Sequence, residues 1–117
     1  MISGRAKLLI VDDSDIVRET VRHLAHALGY TPVAVSSGQA ALQALAEETY
    51  EVMLLDYALS GMDGATVAKR VLETHPNIRI IGMSAHAEVA SVEFKAAGVL
   101  EMLRKPFGLA DLEKIRL

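Results

Sequence analysis

A chain of 117 residues, 51% of them hydrophobic, is long enough for one domain with its own core. Its formal charge of −3 weighs against nucleic-acid binding, which needs a basic patch. It has no cysteine, which excludes disulfides and cysteine-ligated zinc. No apolar run approaches the ~18–20 residues of a membrane span, so no membrane contact is expected. The polar start Met1-Ile2-Ser3-Gly4-Arg5-Ala6-Lys7 lacks the form of a signal peptide, and the expected location is the cytoplasm. A single domain is expected over residues 1–117, with its core from about residue 6 and residues 1–5 as a disordered leader.

Lys7-Leu8-Leu9-Ile10-Val11 reads as a buried strand ending on Asp12-Asp13. A helix then opens at Ser14-Asp15, with Asp13 or Ser14 as cap. Its inward face is expected to carry Ile16, Val17, Thr20, Val21, Leu24, Ala25 and Leu28, and Gly29 sits where a helix-ending glycine belongs. Thr31-Pro32-Val33-Ala34-Val35 reads as a strand whose proline suits a strand start or an edge. Gln39 to Glu48 reads as a second helix. Val52-Met53-Leu54-Leu55 is apolar throughout, as a strand buried on both faces should be, and it runs into Asp56 and a loop bounded by Gly61 and Gly64. Ala65 to Glu73 makes a third helix, which His75-Pro76-Asn77 breaks. Ile78 to Met83 is a fourth strand delivering Ser84. Val89, Val92 and Ala96 then suggest the inward face of a fourth helix. Val99 to Leu103 leads into Arg104-Lys105-Pro106-Phe107, and Leu109, Leu112 and Ile115 outline a last short helix. Strands alternating with helices in this way predict an α/β fold with a parallel sheet and right-handed crossovers.

In a parallel sheet all carboxyl ends lie on one edge. Asp12, Asp13, Asp56, Ser84 and Lys105 should therefore meet in space although they are scattered in sequence. Clustered carboxylates without histidine or cysteine suit Mg²⁺, which keeps positions open for phosphate oxygens. A lysine ammonium and a serine hydroxyl suit the remaining phosphoryl oxygens. An aspartate carboxylate can itself be the nucleophile and form an acyl phosphate. Glu19, His23 and His26 lie on one side of the first helix, where a solvated face outweighs a metal site. His86, two residues past Ser84, reads equally as a loop histidine or as a group beside the site.

Leu9-Ile10-Val11-Asp12-Asp13, Leu54-Leu55-Asp56, Gly61-Met62-Asp63-Gly64, Met83-Ser84-Ala85, Ala97-Gly98 and Lys105-Pro106-Phe107 occur in this order. Over almost its whole length the chain thereby resembles the receiver domain of two-component response regulators. The resemblance implies a doubly wound, flavodoxin-like five-stranded parallel sheet in the order 2-1-3-4-5, with helices on both faces. It implies that Asp56 accepts phosphate from a sensor histidine kinase or a histidine phosphotransfer protein. Asp12, Asp13 and Asp56, with the backbone carbonyl of Ala58, would hold Mg²⁺, for which Mn²⁺ can substitute. Ser84 would be the switch hydroxyl, Lys105 the phosphate partner, and the Lys105–Pro106 bond cis. A receiver catalyses only its own phosphorylation and dephosphorylation, and this one is expected to be a monomer or weak dimer.

Two positions depart from the family pattern. Ser60 stands where the family usually has proline, which predicts a looser loop after Asp56. Met102 stands where an aromatic commonly moves with the switch serine, which predicts a muted response. Leu55-Asp56-Tyr57-Ala58-Leu59 resembles receivers found at the C-terminal end of hybrid sensor kinases, in which case the full-length protein would be a histidine kinase. Two other functions compete with the phosphoacceptor reading. One is a Mg²⁺-dependent phosphatase or phosphotransferase working through an aspartyl phosphate. The other is a degenerate receiver that serves only for docking.

Overall fold

A computed structural model describes residues 6–117; the expected leader at residues 1–5 lies outside them. Ten elements alternate in order: β1 (Lys7–Val11), α1 (Asp15–Ala27), β2 (Thr31–Val35), α2 (Gly38–Glu47), β3 (Val52–Asp56), α3 (Gly64–Thr74), β4 (Arg79–Ser84), α4 (Ala87–Ala96), β5 (Glu101–Arg104) and α5 (Leu109–Lys114). All strand pairs are parallel and the sheet order is β2-β1-β3-β4-β5, as expected. Pro32 lies on the edge strand β2, where a missing N–H costs little.

Strand periodicity divides the interior into two cores. Leu9, Val11, Met53 and Leu55 point to one face, where they meet Ala41 and Leu45 of α2, Val67, Ala68 and Val71 of α3, and Phe94 of α4. Leu8, Ile10, Val52 and Leu54 point to the other, against Val21 and Ala25 of α1 and Leu112 of α5. Every residue of β3 is buried, so the middle strand has little freedom to shift and its last residue, Asp56, is held firmly. The starts of α1, α2 and α3 are capped by side chains: Ser14, Ser37 and Asp63 each accept a hydrogen bond from a backbone N–H of the following first turn.

Two helix faces differ from the expectation. On α1, Ile16 is 79% exposed rather than inward, and Thr20 is exposed as well. On α4 the inward residues are Ala90 and Phe94, while Val89 and Val92 are 66% and 67% exposed and Ala96 is exposed as well. The helical period there is right and its phase is wrong. Phe94 takes the inward position because Gly82, at the centre of β4, leaves room under its ring; a Cβ on Gly82 would lie 2.6 Å from both Phe94 and Met102. Phe94 also packs edge-on against Tyr57, with ring centroids 5.7 Å apart.

Candidate functional site

The carboxyl edge of the sheet brings the predicted residues together. Asp56 ends β3, Ser84 ends β4, and Asp12 and Lys105 directly follow β1 and β5. The ladder continues one step beyond the strands, with Asp12 N–H donating to the Val35 carbonyl at 3.2 Å, Tyr57 N–H to Met83 at 2.9 Å and Lys105 N–H to Ser84 at 2.9 Å. These bonds fix the backbone beneath each functional side chain. The Lys105–Pro106 peptide is cis, as the resemblance implied.

One carboxylate oxygen from each of Asp12, Asp13 and Asp56 lies within 4.8 Å of the other two. Asp12 is fully buried and Asp56 4% exposed, whereas Asp13 faces solvent. The Lys105 ammonium bridges the two buried groups, at 2.6 Å from Asp12 Oδ2 and 3.0 Å from Asp56 Oδ1. The other Asp12 oxygen accepts from Ser14 N–H at 2.9 Å. Burial raises the Asp56 pKa; the Lys105 hydrogen bond pulls the other way, and the neighbouring Asp12 and Asp13 charges add to the rise. Burial alone would lower the pKa of Lys105, yet its hydrogen bonds to Asp12 and Asp56 outweigh that and raise it. The donor set is oxygen only, so these residues fit a hard divalent cation.

Ser84 is 5% exposed and its hydroxyl accepts from His86 N–H at 2.9 Å. Ser84, Ala58, Tyr57 and His86 line, with the acidic residues and Lys105, a cleft of about 490 Å³. The histidine candidates of α1 stay apart from it: His23 pairs with Glu19 at 2.9 Å on an exposed face.

Three features were missed in the sequence. The Arg18 guanidinium donates to the Asp12 carbonyl at 2.7 Å and pairs with Asp15, bracing the turn that carries both acidic residues. The Ser60 hydroxyl donates to Asp13 Oδ2 at 3.3 Å. Gly64, the first residue of α3, presses against the acceptor strand; a Cβ there would lie 2.3 Å from the Asp56 carbonyl oxygen. Gly64→Ala is therefore expected to cost roughly 2–3 kcal/mol, since the clash is with backbone. Urea denaturation checks this, and an unchanged midpoint would contradict the close approach.

The acidic, lysine-bridged cleft lies at the carboxyl edge of a doubly wound parallel sheet, the edge where this class of α/β fold binds ligands. The sequence model of the response regulator receiver domain matches residues 8–116, and the chain belongs to that family. It is 35% identical over 111 residues to sporulation initiation phosphotransferase F of Bacillus subtilis, covering 94% of this chain and 87% of that protein. Several other curated relatives are far longer, and the chain spans 12% to 26% of their length. Among solved structures it is similar to the chemotaxis response regulator CheY4 of Vibrio cholerae, with a TM-score of 0.89, 28% identity and 96% of each chain covered. It is also similar to the receiver domain of the sensor histidine kinase PA1611 of Pseudomonas aeruginosa, with a TM-score of 0.87 and 25% identity, covering 96% of this chain and 94% of that one. That structure is described as having magnesium coordinated in its active-site cleft.

Proposed function

We propose that this domain takes a phosphoryl group from a phosphohistidine onto Asp56. The observation that carries the reading is the placing of Asp12, Asp13 and Asp56 within 4.8 Å of one another, with Lys105 between the two buried ones. An Asp56 carboxylate oxygen attacks phosphorus, the phosphorus–nitrogen bond breaks, and its electron pair returns to the imidazole. Lys105 and the Ser84 hydroxyl donate to the phosphoryl oxygens, where charge is spread in the transition state. Asp13, Asp56 and the Ala58 carbonyl would hold Mg²⁺, with Asp12 acting through water because both its oxygens already have protein partners. Bound Mg²⁺ would neutralise phosphoryl charge. The raised pKa of Asp56 suits a nucleophile, since a more basic carboxylate attacks more readily once ionised. Incubation with acetyl phosphate and Mg²⁺ should add one phosphoryl group, released by base or hydroxylamine as an acyl phosphate is. A protein of unchanged mass would sink the reading.

The switch follows from the same contacts. The new phosphoryl oxygens draw the Ser84 hydroxyl from the His86 N–H, which lies at the start of α4. Met102 is flexible and half-buried, so the response beyond α4 is muted.

The donor histidine must approach Asp56 in line, so its helix docks beside the cleft. Ile16, Val17, Pro106 and Phe107 form an apolar groove there, with Ile16 exposed and Val17 half-buried. This fits a helical, histidine-bearing bundle of a kinase or phosphotransfer protein, with Val17 as an anchor. Val17→Asp should slow transfer from such a protein about tenfold or more while acetyl phosphate labelling stays near the wild-type rate. Equal loss with both donors would make Val17 structural, and no loss with either would place docking elsewhere.

A further inference from the structure

Asp13 differs from the other two carboxylates of the cleft. It faces solvent, and Lys105 pairs with Asp12 and Asp56 instead. Among the described residues its side-chain hydrogen-bond partner is Ser60, whose hydroxyl reaches Asp13 Oδ2 at 3.3 Å across 47 positions of sequence. Ser60 lies in the middle of the β3–α3 loop. At its ends this loop is fastened by Tyr57 N–H on the Met83 carbonyl and Gly64 N–H on the Tyr57 carbonyl. Between those ends Leu59 and Met62 rest on the core. Ser60 supplies the polar tie, and next to it Gly61 turns the chain with φ +85°.

Proline at this position would stiffen the loop by fixing φ whatever Asp13 does. A serine stiffens it only while its hydroxyl holds the carboxylate. We propose that Ser60 is the positioning residue of the cation site in this chain. Its hydroxyl restrains Asp13 through Oδ2 and leaves the other oxygen open to the cation. The same bond fixes the loop that carries the Ala58 carbonyl two residues upstream. An exposed aspartate without this restraint would have to be ordered as the cation arrives, and a hydrogen-bonded ligand is ordered beforehand. The loop and the cation ligand thus act as one unit, so the backbone at Ser60 and Gly61 responds to cation occupancy. The inference rests on the reading of the cleft as a Mg²⁺ site.

The test is Mg²⁺ titration of the unphosphorylated chain by calorimetry and by amide NMR, for wild type, Ser60→Ala, Ser60→Thr and Ser60→Pro. Ser60→Ala should weaken Mg²⁺ about threefold to tenfold, a modest effect in keeping with this hydrogen-bond length. Ser60→Thr keeps the hydroxyl and should restore wild-type affinity. Neither exposed-loop change should move the melting temperature of the metal-free protein by more than about 1 °C. In the wild type the Ser60 and Gly61 amides should shift together with Asp13 during the titration. Unchanged affinity in Ser60→Ala overturns the inference, and wild-type affinity in Ser60→Pro overturns it too, since loop stiffness alone would then suffice. A wild type that does not bind Mg²⁺ at all fails the cation reading beneath it.

Discussion

Asp56→Asn is expected to abolish phosphorylation and to stabilise the metal-free fold at neutral pH. The two effects have one origin. Asp56 is 4% exposed and lies beside Asp12 and Asp13, so its charged form is disfavoured and its pKa raised by burial first, against the pull of Lys105. Below the ordinary carboxylate value of 3.8 the group is protonated in both folded and unfolded chains. As pH rises through the folded value, the folded chain must give up a proton that the unfolded chain has already lost, and stability falls. Asparagine keeps the shape and never ionises, so it removes that penalty. Thermal melts should show a gain at pH 7, on the order of 4–8 °C for each kcal/mol relieved, shrinking as the pH approaches 3.8. Labelling by acetyl phosphate should fall by roughly 10³-fold or more, because an amide is no nucleophile. Labelling at the wild-type rate would remove Asp56 as acceptor, and a lower melting temperature at pH 7 would contradict the electrostatic account.

Lys105→Met should have the opposite effect on stability. The ammonium is the cation facing Asp12, which is fully buried, and Asp56. Without it two buried carboxylates confront each other, a change that costs about 3–5 kcal/mol when one partner of a buried pair is lost. The raised pKa of Lys105 places its own contribution below the ordinary lysine value of 10.5, with loss as pH climbs through the folded value above it. In Lys105→Met the remaining carboxylates make stability fall with rising pH from the acidic side. The deficit against wild type should therefore narrow in acid, and Mg²⁺ should recover part of it. Phosphorylation should slow by about 10²-fold from the loss of one charged donor. A denaturation midpoint equal to wild type at pH 7 would show that the bridge is not a net support.

The site was legible because a parallel sheet collects strand ends, so Asp12, Asp56, Ser84 and Lys105 could be placed together from the order of apolar runs alone. The middle strand was equally plain, since a strand buried on both faces has no polar alternation to confuse it. Helix phase was less so. Val89 and Val92 are as apolar as any core residue, and only the space over Gly82 decides that Phe94 turns inward instead. A glycine in the middle of a β run, with a phenylalanine on the following helix, was the available signal. Arg18 and Ser60 could not be read off, because each acts through a single hydrogen bond to a neighbour whose position depends on the finished fold. The departure at Ser60 suggested a looser loop, and the bond to Asp13 shows that the loop has a tie of another kind.

The pair that bridges the cleft, Lys105 and Asp12, is separated by 93 positions. Contacts between residues this far apart in sequence are the kind that slow folding. A partly assembled chain with β1 and β3 in place would already hold three acidic groups at one edge, repelling one another without their lysine. The ammonium arrives only when β5 docks on β4 at the far side of the sheet. The lysine-bridged cleft thus needs β1, β3 and β5 all in place, and a chain lacking β5 is expected to label from acetyl phosphate at least as slowly as Lys105→Met.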